Sequence, residues 1–278
     1  MRLHLSHETA DIGRSLVAEM QSRGPRPRTT PAAHARAGHR RGAYPGRVFL
    51  GIDTSLGTAV AVIDPDGVLR AERVSANPLG HAEVIGILLQ QALRDAEETA
   101  ALGTASTGTV PAAASGDAVT HVAAGMGPGP FTGLRIGIAA ARAFALARSI
   151  PVVPVPSHDA VALGMLLGAA VTGDDPGRFA IVTDARRREF AYTVYEGMDD
   201  DGLPIRVTEA ALVPRDDVDA RLADLGAVRV DTTTIPAGML ALAAARAVAA
   251  GRRIGTPEPL YLRSPDVTAP HAPKRVVA

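Results

Sequence analysis

The sequence contains no cysteine. Disulfides, thiolate nucleophiles and CxxC metal sites are therefore excluded, and such usage is expected of a cytoplasmic protein. Lysine is nearly as scarce: Lys274, in the tail, is the single one. The body thus lacks a Walker-type phosphate lysine and a Schiff-base amine. Aromatic residues make up 3% of the chain against 46% apolar residues, so the core has to be built from Ala, Val and Leu. No apolar run approaches the ~20 residues of a membrane span. The longest, from Ala160 to Gly173, reads as a buried helix, and acids interrupt the first twenty residues where a signal peptide would lie. Among the 8 histidines there is no HxxxH pair.

At 278 residues the chain suffices for one large or two modest domains. Net charge is zero but unevenly spread. Residues 1–47 hold nine arginines against Glu8, Asp11 and Glu19, a balance of +6, which leaves −6 on the remainder. A body of that sign makes a poor independent nucleic-acid binder, because phosphate contacts supply most of that affinity. In the extension, Glu8 to Gln21 has the spacing of a short amphipathic helix. Arg23 to Gly46 is rich in Pro, Arg, Gly and His without apolar period and reads as disordered. The extension is either a basic arm for RNA or an upstream stretch preceding a true start near Val48.

Past Val48 the pattern is regular. Strands are expected over 48–53, 58–63 and 68–74, then a helix over about 80–98 with Ile85, Leu88, Ala92 and Ala96 on one side. Thr99 to Gly116 is Ala/Thr/Ser/Gly-rich and reads as a loop. A strand over 119–124 feeds the stretch GMGPGPFTGLRIGIAAARAFALA, residues 125–147, a glycine- and proline-rich turn running into a helix. Leu134, Ile138, Ala141 and Ala145 recur at helical spacing, while Gly133, Gly137 and Ala141 form a flat strip. The free N–H groups at such a helix start form a ready anion site. A strand over 152–155 and a helix over 159–170 follow. The pattern then restarts: a strand over 179–184 ends in Asp184 as the first ends in Asp53, and helices are expected over 216–225 and 237–250. Two such α/β halves facing each other leave a cleft between the two aspartates. There Asp53, Thr54, Ser55, Gly127, Gly129, Thr132 and Asp184 have the types needed to hold a metal-bound phosphate. Either aspartate alone is more simply a turn former.

Five segments together resemble the TsaB family, also called YeaZ: GIDTSLGTAVAVID (51–64), the glycine-turn stretch, IPVVPVPSHDAVALG (150–164), DARRREFAYTVY (184–195) and EPLYLRSPDV (258–267). The resemblance implies an α/β fold of the actin/Hsp70/sugar-kinase (ASKHA) type, with two related lobes. The expected parts are a basic extension (1–47) set apart by its composition, a first lobe (48–158), a second lobe with a closing helix (159–255) and a tail (256–278). The resemblance also implies a pseudo-enzyme role in tRNA threonylcarbamoyladenosine formation, as the non-catalytic heterodimer partner of TsaD that helps recruit the TsaE ATPase. No metal, no required cofactor and no membrane contact are expected. Nucleotide binding, if any, is weak, tRNA is met through the complex, and a homodimer is the alternative assembly.

The residues agree with that role. Catalytic relatives carry a V-N-H-x-x-x-H segment whose histidines hold a metal. Its counterpart here, residues 155–161, puts Ser157 and Val161 at the two histidine places. His158 is offset by one and reads as a cap or surface residue. The glycine-rich G-x-G segment usual between 225 and 235 is missing. Helices of the first half carry the family's interface, matched here by Ile85, Leu88, Leu89, Gly133, Leu134, Gly137, Ile138 and Ala141. On that reading Gly137→Arg blocks association and spares the fold. Arg186, Arg187 and Arg188 either meet tRNA phosphates or are merely solvated. The rival functions are a metallopeptidase of the glycoprotease class and an ATPase or phosphotransferase of the same fold.

Overall fold

The computed structural model describes residues 3–5, 47–64, 66–77, 80–107 and 118–263. The expected 8–21 helix and the Arg23–Gly46 stretch lie outside the described residues, as do 108–117 of the expected loop and the tail beyond 263.

The first lobe is built on a five-stranded sheet of order β4-β3-β2-β5-β6. Its strands are β2 (Val48–Asp53), β3 (Thr58–Ile63), β4 (Leu69–Ser75), β5 (Val119–Gly125) and β6 (Val152–Val155). β2, β3 and β4 form an antiparallel meander, and β5 and β6 add to β2 in parallel. Both faces of the sheet are covered, so its central strands β2 and β3 are buried at every position. Alternation along β2 sends Val48, Leu50 and Ile52 to one face and Phe49 to the other. The first face is covered by α1 (His81–Thr107) and α2 (Phe131–Arg148). Leu134, Ile138, Ala141 and Ala145, spaced for one helical stripe, are buried there as the periodicity predicts.

The second lobe holds a six-stranded sheet. Its main order is β1-β11-β7-β8-β10, from β1 (Leu3–Leu5), β7 (Arg178–Asp184), β8 (Glu189–Met198), β10 (Ala211–Pro214) and β11 (Val228–Thr232); β9 (Pro204–Arg206) pairs with β8. The short edge strand β1 runs parallel to β11, a pairing the composition of the extension gives no sign of. Between the two sheets lie α3 (Ser157–Thr172) and α5 (Ala237–Ala249). The seven-residue α4 (Val218–Asp224) packs near β10 and β11. α5 closes the chain by returning to the first sheet, against β2 and β3. It can do so because Gly51 has no side chain: a Cβ there would collide with the Ala237 carbonyl.

Two expectations change. α1 continues to Thr107 through part of the stretch read as a loop from Thr99. Alanine favours helix, and the Thr99 hydroxyl bonds back to the Asp95 carbonyl at 2.8 Å instead of breaking the turn. The strip on α2 is also not outward. Gly133 lies against the Thr54 carbonyl and Gly137 against the Thr54 side chain, both buried with Leu134, Ile138 and Ala141. These five expected interface residues therefore serve the chain's own core, and Gly137→Arg would break the fold it was meant to spare. Ile85, Leu88 and Leu89 are half-buried against the same core. Even Gly137→Ala is expected to cost about 1–3 kcal/mol by forcing the Thr54 turn off α2, read as a lowered urea midpoint.

Candidate functional site

β2 ends in Asp53, and the turn after it is pinned from three sides. The Ser55 N–H donates to Asp53 Oδ1 at 2.7 Å, and the Ser157 hydroxyl donates to Oδ2 at 2.5 Å. Ser55 Oγ also lies 3.1 Å from Oδ2. The Gly127 N–H donates to Ser157 Oγ at 3.0 Å, which joins the glycine turn to the start of α3. Thr54 Oγ1 donates to the Gly133 carbonyl at 2.7 Å and accepts the Gly137 N–H at 3.1 Å, fastening the same turn to α2. Asp53, Thr54, Ser55 and Ser157 are all buried. Burial pushes the Asp53 carboxyl above the ordinary aspartate value, and its serine partners offset only part of that. A Cβ on Gly125 would collide with this carboxyl. Three of the expected cleft residues, Asp53, Thr54 and Ser55, are thus consumed by internal bonds and do not line open space.

The open space lies beside them. A cavity of about 580 Å³ sits between the lobes, walled on one side by residues 128–133 at the start of α2 and on the other by residues 183–187. Of the other residues singled out for the cleft, Gly129, Thr132 and Asp184 line it. Gly127 is buried behind it, with φ +94 and Leu134 packed where a Cβ would be. Asp184 shapes the wall: its Oδ1 accepts the Arg186 N–H at 2.7 Å and Oδ2 pairs with Arg215 at 2.7 Å. Partial burial raises its pKa, but these bonds and the nearby guanidinium outweigh it and hold the carboxyl below its ordinary value. Arg186, Arg187 and Arg188 at the hairpin tip all have positive φ, at 63°, 50° and 63°. For arginine that is a costly backbone region.

Sequence spacing gave no sign of the third wall. Tyr261, Leu262 and Arg263 arrive from the far end of the chain. The Tyr261 ring packs on Phe131 at 4.7 Å, and Arg135 lies 3.7 Å over the Phe131 ring while donating to the Tyr261 hydroxyl at 3.2 Å. These partners are more than a hundred residues apart, beyond any local pattern.

At the residues opposite the relatives' metal-binding histidines, Ser157 is bound to Asp53 as above, and Val161 is buried among apolar neighbours between the sheets. Among the described residues no group of three His, Cys, Asp or Glu is arranged to hold a metal ion. His158, read from the sequence as a cap or surface residue, is instead buried: its Nδ1 lies 2.9 Å from Thr193 Oγ1 and its Nε2 3.1 Å from Thr183 Oγ1. A neutral imidazole satisfies both hydroxyls, one nitrogen donating and the other accepting. Burial drives its pKa down to about 3. Next to it, Asp159 accepts the Tyr195 hydroxyl at 2.8 Å and a bidentate Arg206 at 2.8 and 2.7 Å. Burial raises the Asp159 carboxyl and the guanidinium opposes that rise. α3 is therefore joined to the second sheet by two polar links, the first of which ends on Thr183 in the cavity wall.

Two measurements follow from α3. His158 stays neutral when folded but protonates below pH 6.5 when unfolded, so its contribution is complete above 6.5 and falls as the pH drops toward 3. The stability advantage of the wild type over His158→Gln is expected to shrink across that window, at up to about 1.4 kcal/mol per pH unit, in urea titrations at several pH values. Arg206→Ala strands the Asp159 carboxyl and is expected to cost about 3–5 kcal/mol, seen as a large fall in melting temperature.

Comparisons with known proteins agree with this architecture. The family model for TsaD, tRNA N6-adenosine threonylcarbamoyltransferase, matches residues 109–211. An uncharacterized protein of Mycobacterium tuberculosis is 38% identical over 148 residues, 52% of this chain and 58% of that one. One of Mycobacterium leprae is 36% identical over 176 residues, 62% of this chain and 40% of that one. The chain thus spans less than two thirds of the length of these relatives. Among solved structures, YeaZ from Pseudomonas aeruginosa superposes with a TM-score of 0.53 at 23% identity, over 78% of this chain and all of that one. A second solved structure, an uncharacterized protein with similarity to peptidase YeaZ from P. aeruginosa, gives 0.54 at 25% identity over the same shares. Two α/β lobes around a shared helical layer, and a superposition that takes in the whole of both solved chains, show that this chain has a YeaZ-like α/β fold.

Proposed function

We propose that the chain is a non-catalytic partner subunit in threonylcarbamoyladenosine modification of tRNA. It binds a TsaD-like catalytic subunit as a heterodimer, holds it in its active form and helps present a docking surface for a TsaE-like ATPase. One observation carries this reading: Ser157 and Val161, which the family resemblance sets opposite the metal-binding histidines of catalytic relatives, are both built into the chain's own interior. The Ser157 hydroxyl donates to Asp53 and is thereby turned to a structural use. Val161 is an aliphatic side chain in the core, offering no donor.

The surface for the partner follows from the inward turn of the glycine strip. On α1 the outward positions include Gly86, where a Cβ would meet nothing within 4 Å, and Ile87, which is 57% exposed. On α2, Ala139, Ala143 and Leu146 are exposed, Leu146 at 82%. Small and apolar residues on two adjacent helices suit close helix-on-helix packing with a second subunit. No helix among the described residues is long and apolar enough to cross a membrane, in keeping with a cytoplasmic assembly.

The test is co-purification with a TsaD-like subunit from the same source. Ile87→Arg is expected to weaken the complex at least about tenfold while leaving the melting temperature of the isolated chain unchanged. Equal recovery of the complex with that variant would place the interface elsewhere. Failure of the wild type to associate at all, or stoichiometric zinc or iron in the purified chain, would overturn the proposal.

A further inference from the structure

The segment from Thr256 to Arg263 reaches the interlobe cavity at Tyr261, Leu262 and Arg263 and is held unequally at its two ends. On the first lobe its hold is broad. The Leu260 N–H donates to the Met126 carbonyl at 2.8 Å, Arg142 donates to the Pro257 carbonyl at 2.7 Å, and Tyr261 is held by Phe131 and Arg135. Leu260 and Tyr261 also pack on the first lobe's core. On the second lobe the described hold is Arg263 alone. Its guanidinium pairs with the Glu189 carboxylate and lies 3.3 Å from the Arg186 carbonyl. Both side chains of the ion pair are about a third exposed, at 30% and 32%, so water and salt weaken it.

The receiving surface is the same hairpin whose three arginines have left-handed backbone angles. Residues held in that region persist only where their surroundings over-determine them, and Arg263 is one of the contacts that does so. Tyr261 and Arg263 wall the cavity from one side and Arg186 from the other. The Arg263–Glu189 pair therefore spans from one wall of the cavity to the hairpin that carries the other.

We infer that the 256–263 segment is a clasp between the lobes, permanently fastened to the first and releasable from the second at the Arg263–Glu189 pair, and that its release widens the interlobe cavity. The asymmetry gives the direction: when the pair breaks, Arg263 stays with the first lobe and the arginine hairpin moves with the second sheet. The helical layer of α3 and α5 lies between both sheets and serves as the hinge. The clasp depends on no assignment of partner or substrate, so it stands or falls apart from the role proposed above.

The absence of cysteine allows a direct test in the full-length chain. Spin labels are attached at Ala139→Cys, exposed on α2, and at Asp200→Cys, exposed on the second lobe, and the distance between them is read by pulsed electron resonance. Arg263→Glu and, as the milder change, Arg263→Gln are expected to lengthen and broaden the distance distribution relative to the labelled parent. Arg263→Glu combined with Glu189→Arg is expected to return it to the parent's shape. Should Arg263→Glu fail to fold, as judged by circular dichroism, Arg263→Gln carries the comparison. A distribution unchanged in the folded single variants, or one that the charge exchange does not restore, overturns the clasp.

Discussion

The structure depends on one carboxylate taken out of water. Asp53 closes β2 inside the protein, and three neighbours compensate: the Ser55 amide, the Ser55 hydroxyl and the Ser157 hydroxyl. An unpaired charge at that depth would cost several kcal/mol, so each partner has to be in place. Holding them there determines where the turn after β2, the glycine turn after β5 and the first residue of α3 must lie. Thr54, caught in the same turn, extends the arrangement to α2 through Gly133 and Gly137. The two glycines are needed because the turn occupies the volume a side chain would take. What resembles a phosphate-binding loop in sequence is, in this fold, a joint.

That joint explains how the site could be legible and still misread. Strand ends at Asp53 and Asp184, the glycine turn and the helix behind it follow from periodicity and turn chemistry, which are local properties. So does the buried stripe of Leu134, Ile138, Ala141 and Ala145. The orientation of Gly133 and Gly137 is not local. Small residues at four-residue spacing suit a partner helix and a docked turn equally, and Thr54 lies 79 residues from Gly133. His158 is a parallel case: beside a helix start it looks solvated, but Thr183 and Thr193 come from the other lobe to receive it. The end of α1 was lost to composition, because alanine- and threonine-rich sequence suits both a helix and a loop. The third wall of the cavity joins Phe131 to Tyr261, and no window of sequence contains both.

Function follows from what the joint uses up. Side chains that could serve phosphate or metal chemistry, Asp53, Thr54, Ser55 and Ser157, spend their hydrogen bonds on one another and on the backbone. The cavity left between the lobes is lined by Arg186, Arg187 and Arg263 and by the Phe131 and Tyr261 rings, together with Thr132 and Asp184. On the proposed reading, a first lobe that presents two helices and a second lobe clasped to it suit a subunit that shapes another protein. They suit a self-contained catalyst less well.

The most direct measurement is reconstitution of threonylcarbamoyl transfer to tRNA from purified components, scored by mass spectrometry of the digested RNA. With the adenylate intermediate supplied, the account predicts no modified adenosine from this chain alone and multiple-turnover product when it is added to a TsaD-like subunit. Modified adenosine formed by this chain in the absence of that subunit would contradict it.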